Sequence, residues 1–220
     1  MLMSKKLLSL HLEILDDERH RAFVKLTQFT RYGILGGGTA LALILGHRHS
    51  YDFDWFCTKP ISDALRTRAI KTFGVTQILI DTEDEFTFLN TTGIKFTFLH
   101  YPFTFLDKPV TVALFPPLLS VLSVGVSKAY AMSRRAAWRD YVDLYTILTT
   151  TPITLEKTIA TAARVYGELF STKMFLGQLL YTKDISEDEI KGVQWLAPKV
   201  SGKVIKDFLK KEVERVGKIA

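Results

Sequence analysis

Apolar positions along the chain follow one rhythm up to about residue 115 and another after it. Leucines 8, 12 and 15, then Ala22, Leu26 and Phe29, recur at helical spacing between charged residues, so residues 5–29 are expected to form one or two amphipathic helices. A short apolar run from Tyr32 to Leu35 stops at Gly36-Gly37-Gly38. Thr39 to Leu45 then begins with a capping-type residue and continues with good helix formers, which gives strand, glycine turn, helix. The next run, YDFDWF at 51–56, alternates strictly. A period of two places Asp52 and Asp54 on one face of a strand and Tyr51, Phe53 and Trp55 on the other. A helix over about 61–73 follows, and β-branched and aromatic runs at 75–81, 85–91, 94–101 and 110–114, set apart by Asp, Asn and Gly, predict a mostly antiparallel extension of the sheet.

Beyond Pro116-Pro117 the strand signal fades, and helical periodicity predicts segments near 118–133, 136–149, 154–170, 172–181, 186–196 and 200–216. The expected fold class is α+β, a mixed sheet flanked by helices with a helical C-terminal half. Two regions are expected. Residues 1–115 form an α/β core with N-terminal helices, and 116–220 form a helical region that completes the site and ends in a C-terminal bundle. The boundary is soft, because side chains from the second region are expected at the site of the first.

Composition narrows the class. With 47% hydrophobic and 24% charged residues the chain has the makeup of an ordinary folded protein, which excludes disordered or collagen-like architectures. The formal net charge of +6 favours polyanionic partners moderately. Cys57 is the single cysteine, so an intramolecular disulfide and a cysteine-based zinc cluster are both excluded, which suits a reducing, cytoplasmic setting. The opening MLMSKKLLSLHLEIL has its apolar run broken by His11 and Glu13 and is not expected to be a signal peptide. The most apolar stretch, 110–126, is split by the two prolines, so no membrane span is expected.

The chemistry concentrates at 36–56. Asp52 and Asp54, two strand residues apart, have alpha carbons roughly 6.5 to 7 Å from each other, close enough for both carboxylates to reach one hard cation such as Mg²⁺ or Mn²⁺. Two acids on a wet strand face would look the same in isolation. The glycine turn that opens a helix just upstream distinguishes this case, since free amides and the helix dipole receive phosphate.

These residues carry a family resemblance. Gly37-Gly38, a thirteen-residue spacer and Asp52-Phe53-Asp54-Trp55 resemble the signature of nucleotidyltransferases related to DNA polymerase beta. The fuller wording GGTALAL at 37–43, LGHR at 45–48, Ser50 and DFD at 52–54 is similar to the AbiEii/AbiGii toxin family, as are Lys128-Ala129-Tyr130-Ala131 and Arg139-Asp140-Tyr141-Val142-Asp143-Leu144. The resemblance covers 30–150 well and the tail weakly. It implies a polymerase-beta-like fold and Mg²⁺-dependent transfer of a nucleoside monophosphate from an NTP to an acceptor. An RNA such as tRNA is the implied acceptor, and a cognate antitoxin is the implied regulator.

On that basis Asp52 and Asp54 would hold the metal, Lys128 would contact nucleotide phosphate, and Asp140 would orient or activate the acceptor or position the lysine. Asp143, three residues later on the same helical face, is the alternative to Asp140 for that role or else a structural residue, and Asp140 is favoured. The nucleotide-contacting set is Gly37, Gly38, Thr39, Arg48, Ser50 and Lys128, with Arg48 open between a phosphate contact and an ion partner of Asp54, and Ser50 also shaping its turn. His47 and His49 are expected to be solvated. Arg134, Arg135 and Arg139 flank the site as an RNA track or a wet helix face.

One position departs from the family pattern. Thr97, in GIKFTFLHYP, stands where related enzymes carry a third acid on a neighbouring strand. The acids at 83–85 would replace it only if their loop folds back. Two alternatives therefore accompany the enzyme: a nucleotide-binding protein of the same fold with weak or no turnover, and an enzyme that nucleotidylates protein.

Overall fold

The computed structural model describes residues 9–217 except 106 and 136. Five strands form one mixed sheet: β1 (Gly33–Leu35), β2 (Phe53–Cys57), β3 (Val75–Asp81), β4 (Glu85–Asn90) and β5 (Lys95–His100), in the order β1-β2-β5-β4-β3. β2 and β5 run parallel and the other neighbours antiparallel. Period-two alternation divides the sheet as expected. Phe53 and Trp55 of β2, Phe96 and Phe98 of β5, and Phe86 and Phe88 of β4 are fully buried. Phe96 stacks on Phe73 with centroids 4.2 Å apart and on Phe53 at 5.4 Å. Each such aromatic pair contributes roughly 0.5–1.5 kcal/mol beyond the area it buries. This aromatic layer anchors one face and leaves Asp54 and Thr97 on the other.

Among the helices, α1 (Asp17–Lys25) is capped by the Asp16 carboxylate, which accepts from the Arg19 amide. The expected helical stretch 5–29 resolves into α1 with 3-10 turns on each side, its first residues lying outside those described. Helix α2 (Gly37–Leu45) starts two residues earlier than expected, with Gly36 as its N-cap, so Thr39 is not the cap. Helix α3 (Asp63–Phe73) matches its prediction within its first turn.

The run at 110–114 is not a strand. Val110 makes a single bridge with Leu118, and Leu114 takes φ 71° at a nearly fully exposed position. Prolines 116 and 117 have no N–H with which to extend a ladder. Leu118 is held instead in bridges to Leu35 and Val110, and α4 (Val121–Met132) therefore starts three residues late, capped by Ser120.

The remaining helices are α5 (Trp138–Thr150), α6 (Leu155–Tyr166), α7 (Thr172–Leu180), α8 (Glu187–Lys191) and α9 (Gly202–Gly217). α8 is far shorter than the expected 186–196. The chain after it pairs with the segment following α2, where the His49 amide donates to Gln194 O and those of Leu196 and Ala197 to His47 O. Both halves of the chain contribute to one hydrophobic core. α2 packs on α4, α5 and β2, which carries the glycine turn to the residues of the helical half.

Candidate active site

The floor of the site is the open face of β2 and β5. Gly37 has φ 64°, a conformation that glycine adopts without steric cost, and a Cβ there would lie 2.2 Å from Asp54 Oδ2. The glycine therefore admits the Asp54 carboxylate against the first turn of α2. Gly36 N–H donates to the Asp54 carbonyl at 2.8 Å, fixing the strand to the turn. Burial pushes the Asp54 carboxyl above the usual carboxylate range, and the like charge of Asp52 adds to this against the opposing pull of Lys95 and Lys128. Asp52, just before β2, pairs with Lys95 Nζ at 3.1 Å. Thr97 is the direct register partner of Asp54 across the parallel β2–β5 pair.

The roof is a buried chain of charges between α4 and α5. Lys128 Nζ lies 2.7 Å from Asp140 Oδ1 and 2.6 Å from Asp143 Oδ2. Asp143, with 0% exposure, also accepts from Arg48 Nε at 2.7 Å, from Arg48 Nη2 at 2.8 Å and from His47 Nε2 at 2.7 Å. Burial opposes the charge of Asp143, but Arg48 and Lys128 outweigh it and hold the carboxyl well below its ordinary range. Burial likewise opposes the Lys128 ammonium, and Asp140 and Asp143 overcome it and raise its proton affinity. Gly38 gives Arg48 its place, since a Cβ there would fall 2.5 Å from Arg48 Nη2. The second oxygen of Asp140, Oδ2, is buried without a hydrogen-bond partner among the described residues.

Floor and roof enclose a cleft of about 1060 Å³. Gly37, Gly38, Asp52, Asp54, Lys128 and Asp140 all line it, although they come from positions 37 to 140 of the chain. Among the described residues no three acid, histidine or cysteine side chains gather as a complete metal shell. Two carboxylates nevertheless fit Mg²⁺, which is usually held by one or two carboxylates plus substrate phosphates and water. The Asp54 carboxylate, half-buried beside the like charge of Asp52 and pressed on Gly37, is of the ligand type such a site would use.

Several expectations need correction. Arg48 reaches the cleft wall, but its guanidinium is committed to Asp143 and to the His49 carbonyl, so it is neither a free phosphate contact nor a partner of Asp54. His47 is buried on Asp143 rather than solvated. His49 is half-buried, with its ring on the Ile14 carbonyl. Thr39 is buried and does not line the cleft; its hydroxyl donates to the Asp52 carbonyl and lies 2.8 Å from Ser50 Oγ. Ser50 does line the cleft and shares that tie, so the pair positions Asp52. The 83–85 acids stay away from the cleft: Asp84 pairs with His100 at 2.9 Å, and Glu85 accepts from Thr87 at 2.6 Å. Arg134, Arg135 and Arg139 all border the cleft. Asp143 is fully buried and does not line the cleft.

Two features escaped the sequence reading. Lys95 stands on the same face as Thr97 and Leu99, and the alternation in KFTFLH carried that signal. The aromatic end of the cleft, with Tyr101, Phe103, Tyr130 and Tyr166, is assembled from three separate segments and had no local signal.

Comparison with known proteins decides the family. The model of the nucleotidyl transferase AbiEii toxin family, type IV toxin–antitoxin system, matches residues 21–203. The chain belongs to that family. An uncharacterized protein of Aquifex aeolicus is 26% identical over 187 residues, which cover 82% of this chain and 85% of that protein. Among solved structures, the fold is similar to MenT4, a nucleotidyltransferase toxin of Mycobacterium tuberculosis, with TM-score 0.59 and 13% identity over 90% of this chain and 84% of that one. It is also similar to JHP933 of Helicobacter pylori, with TM-score 0.54 and 18% identity over 96% and 94%. The AbiEii-family chain thus has the α+β fold of nucleotidyltransferase toxins, and its family implies an antitoxin partner. Among its described residues no helix is long and apolar enough to cross a membrane.

Proposed function

We propose that this AbiEii-family protein transfers a nucleoside monophosphate from an NTP to an acceptor hydroxyl on RNA, such as tRNA, with Mg²⁺ or Mn²⁺ held by Asp52 and Asp54, and that it acts as a cytoplasmic toxin. The observation that carries this reading is the convergence of Asp52, Asp54, Lys128 and Asp140 on one cleft beside the amides of Gly37 and Gly38. When bound, the metal neutralises triphosphate charge and polarises the reacting phosphate.

The chain's own groups supply the rest. The turn at Gly37-Gly38 opens α2 toward the cleft, where amide N–H groups and the helix dipole favour phosphate oxygens. Lys128, fixed between two carboxylates and held protonated, offers a cation of set position to the same phosphates. Asp140 holds Lys128 through Oδ1, while its buried Oδ2 has no hydrogen-bond partner among the described residues and lies 3.9 Å from Arg135 Nη1; in this reading Oδ2 accepts the proton of the acceptor hydroxyl. The acceptor oxygen then bonds to the α-phosphorus, the bond from that phosphorus to the bridging oxygen breaks, and pyrophosphate leaves.

Thr97 beside Asp54 favours a second reading, a nucleotide binder with feeble turnover, and a protein acceptor is a third. One assay separates them. With each α-labelled NTP, Mg²⁺ and total RNA, label enters RNA and Asp54→Asn abolishes it. Label on protein alone supports the third reading, and binding of Mg-NTP with no label on either supports the second.

A further inference from the structure

One end of the cleft is aromatic where the other is charged. Tyr101 and Phe103 follow β5, Tyr130 comes from α4, Tyr166 from α6, and all four line the wall. The Tyr101 and Tyr166 hydroxyls satisfy each other at 2.7 Å. The Tyr130 ring stacks on Tyr166 with centroids 4.1 Å apart and planes 23° from parallel. On the Tyr130 ring lies the Arg134 guanidinium, its Cζ 3.7 Å from the centroid.

Arg134 is exposed, and exposed arginines ordinarily keep their rotamer freedom. This one is held in place. Nη1 donates to the Tyr130 carbonyl at 3.0 Å and to Ser133 Oγ at 3.1 Å, and Nη2 donates to the Leu169 carbonyl at 2.7 Å. Its polar edge is thus directed at the backbone and a serine rather than at a carboxylate. The result is an ordered pile, Tyr166–Tyr130–Arg134, at the border of a cleft large enough for a nucleotide.

We propose that this pile is a platform for a nucleobase, which stacks on the guanidinium as the next layer; the proposal rests on the reading that the charged end of the cleft takes the triphosphate. A planar, weakly hydrated guanidinium attracts the π-face of a base, and aromatic and arginine planes are the usual stacking surfaces for unpaired bases. The contact is tolerant of base identity, because every base has such a face. The base arrives either on the donor NTP or as an unpaired base of the RNA acceptor.

The test compares affinities by calorimetry for the wild type, Arg134→Lys and Tyr130→Leu. The ligands are the Mg²⁺ complexes of the four common NTPs and of inorganic tripolyphosphate, and a short single-stranded RNA. Arg134→Lys keeps the charge and removes the plane; Tyr130→Leu removes the ring beneath it. Both variants are expected to lose roughly tenfold in affinity for NTP if the donor base stacks there, or for RNA if the acceptor base does, with tripolyphosphate binding unchanged. Unaltered NTP and RNA affinities in both variants, with tripolyphosphate still bound, overturn the platform and leave the triphosphate reading standing. An equal loss for tripolyphosphate also overturns it, since Arg134 would then be a phosphate contact. Failure of the wild type to bind either NTP or tripolyphosphate removes the triphosphate reading and the platform with it.

Discussion

Thr97 stands directly beside Asp54 on the adjoining parallel strand, at the position where the family resemblance leads one to expect a third acid. Thr97→Asp therefore puts a like charge next to Asp54 and Asp52. Without metal the variant is expected to lose up to about 1 kcal/mol of stability, the usual cost of facing like charges. With Mn²⁺ it is expected to recover that loss and to bind the ion more tightly or in higher stoichiometry than the wild type. Thermal melts with and without Mn²⁺, and Mn²⁺ titration followed by electron paramagnetic resonance, measure both effects.

Lys95 occupies Asp52 from the same face of the sheet, with both groups about one-third exposed. An exposed pair of this kind stabilises by no more than about 1 kcal/mol, so Lys95→Met is expected to change the melting temperature little. It also removes a cation that competes for the Asp52 carboxylate. Mn²⁺ affinity is therefore expected to rise, and an unchanged or weaker affinity would show that Lys95 assists ion binding.

The Asp143 carboxylate is shared by Arg48, His47 and Lys128. Asp143→Asn leaves two buried cations short of their counter-charge and is expected to cost about 3–5 kcal/mol in urea unfolding at neutral pH. Because folding lowers the Asp143 proton affinity, its stabilisation is present above the ordinary value of 3.8 and is lost as pH falls through the lower folded value. Lys128 has the opposite sign: its folded value is raised, so its contribution is complete below the ordinary 10.5 and is lost only as pH climbs past that into the folded value. The wild type is expected to show acid loss of stability below about pH 4, and Asp143→Asn a flatter acid limb. Melting temperature against pH for the two proteins checks the difference.

The sequence made the floor of the site legible because its determinants are local. Alternation in YDFDWF put the two acids on one face, and the glycine turn preceded them by a fixed spacing. What it did not reveal is long-range. Arg48 and His47 find their partner about 95 residues later, so local pattern offered no choice between Asp143, Asp54 and a phosphate. Free amides at the glycine turn suit phosphate, and the packing adds a second reason for the glycines, since side chains at 37 and 38 would collide with Asp54 and Arg48. The run at 110–114 has strand-like residues, but the following prolines and the pairing of Leu118 with Leu35 leave it a single bridge. Residues after α8 carry helical periodicity, yet hydrogen bonds to the 47–49 segment draw them out of the helix.

Transfer of the α-phosphorus, with release of the other two phosphates together, is measured by pairing α-labelled and γ-labelled NTP in parallel reactions with Mg²⁺ and RNA. The α-label is expected to appear on RNA and the γ-label in pyrophosphate in equal amounts, with Asp54→Asn and Asp140→Asn both inactive. Release of γ-label as inorganic phosphate with no α-label on RNA, or full transfer by Asp54→Asn, would contradict the assignment of this cleft.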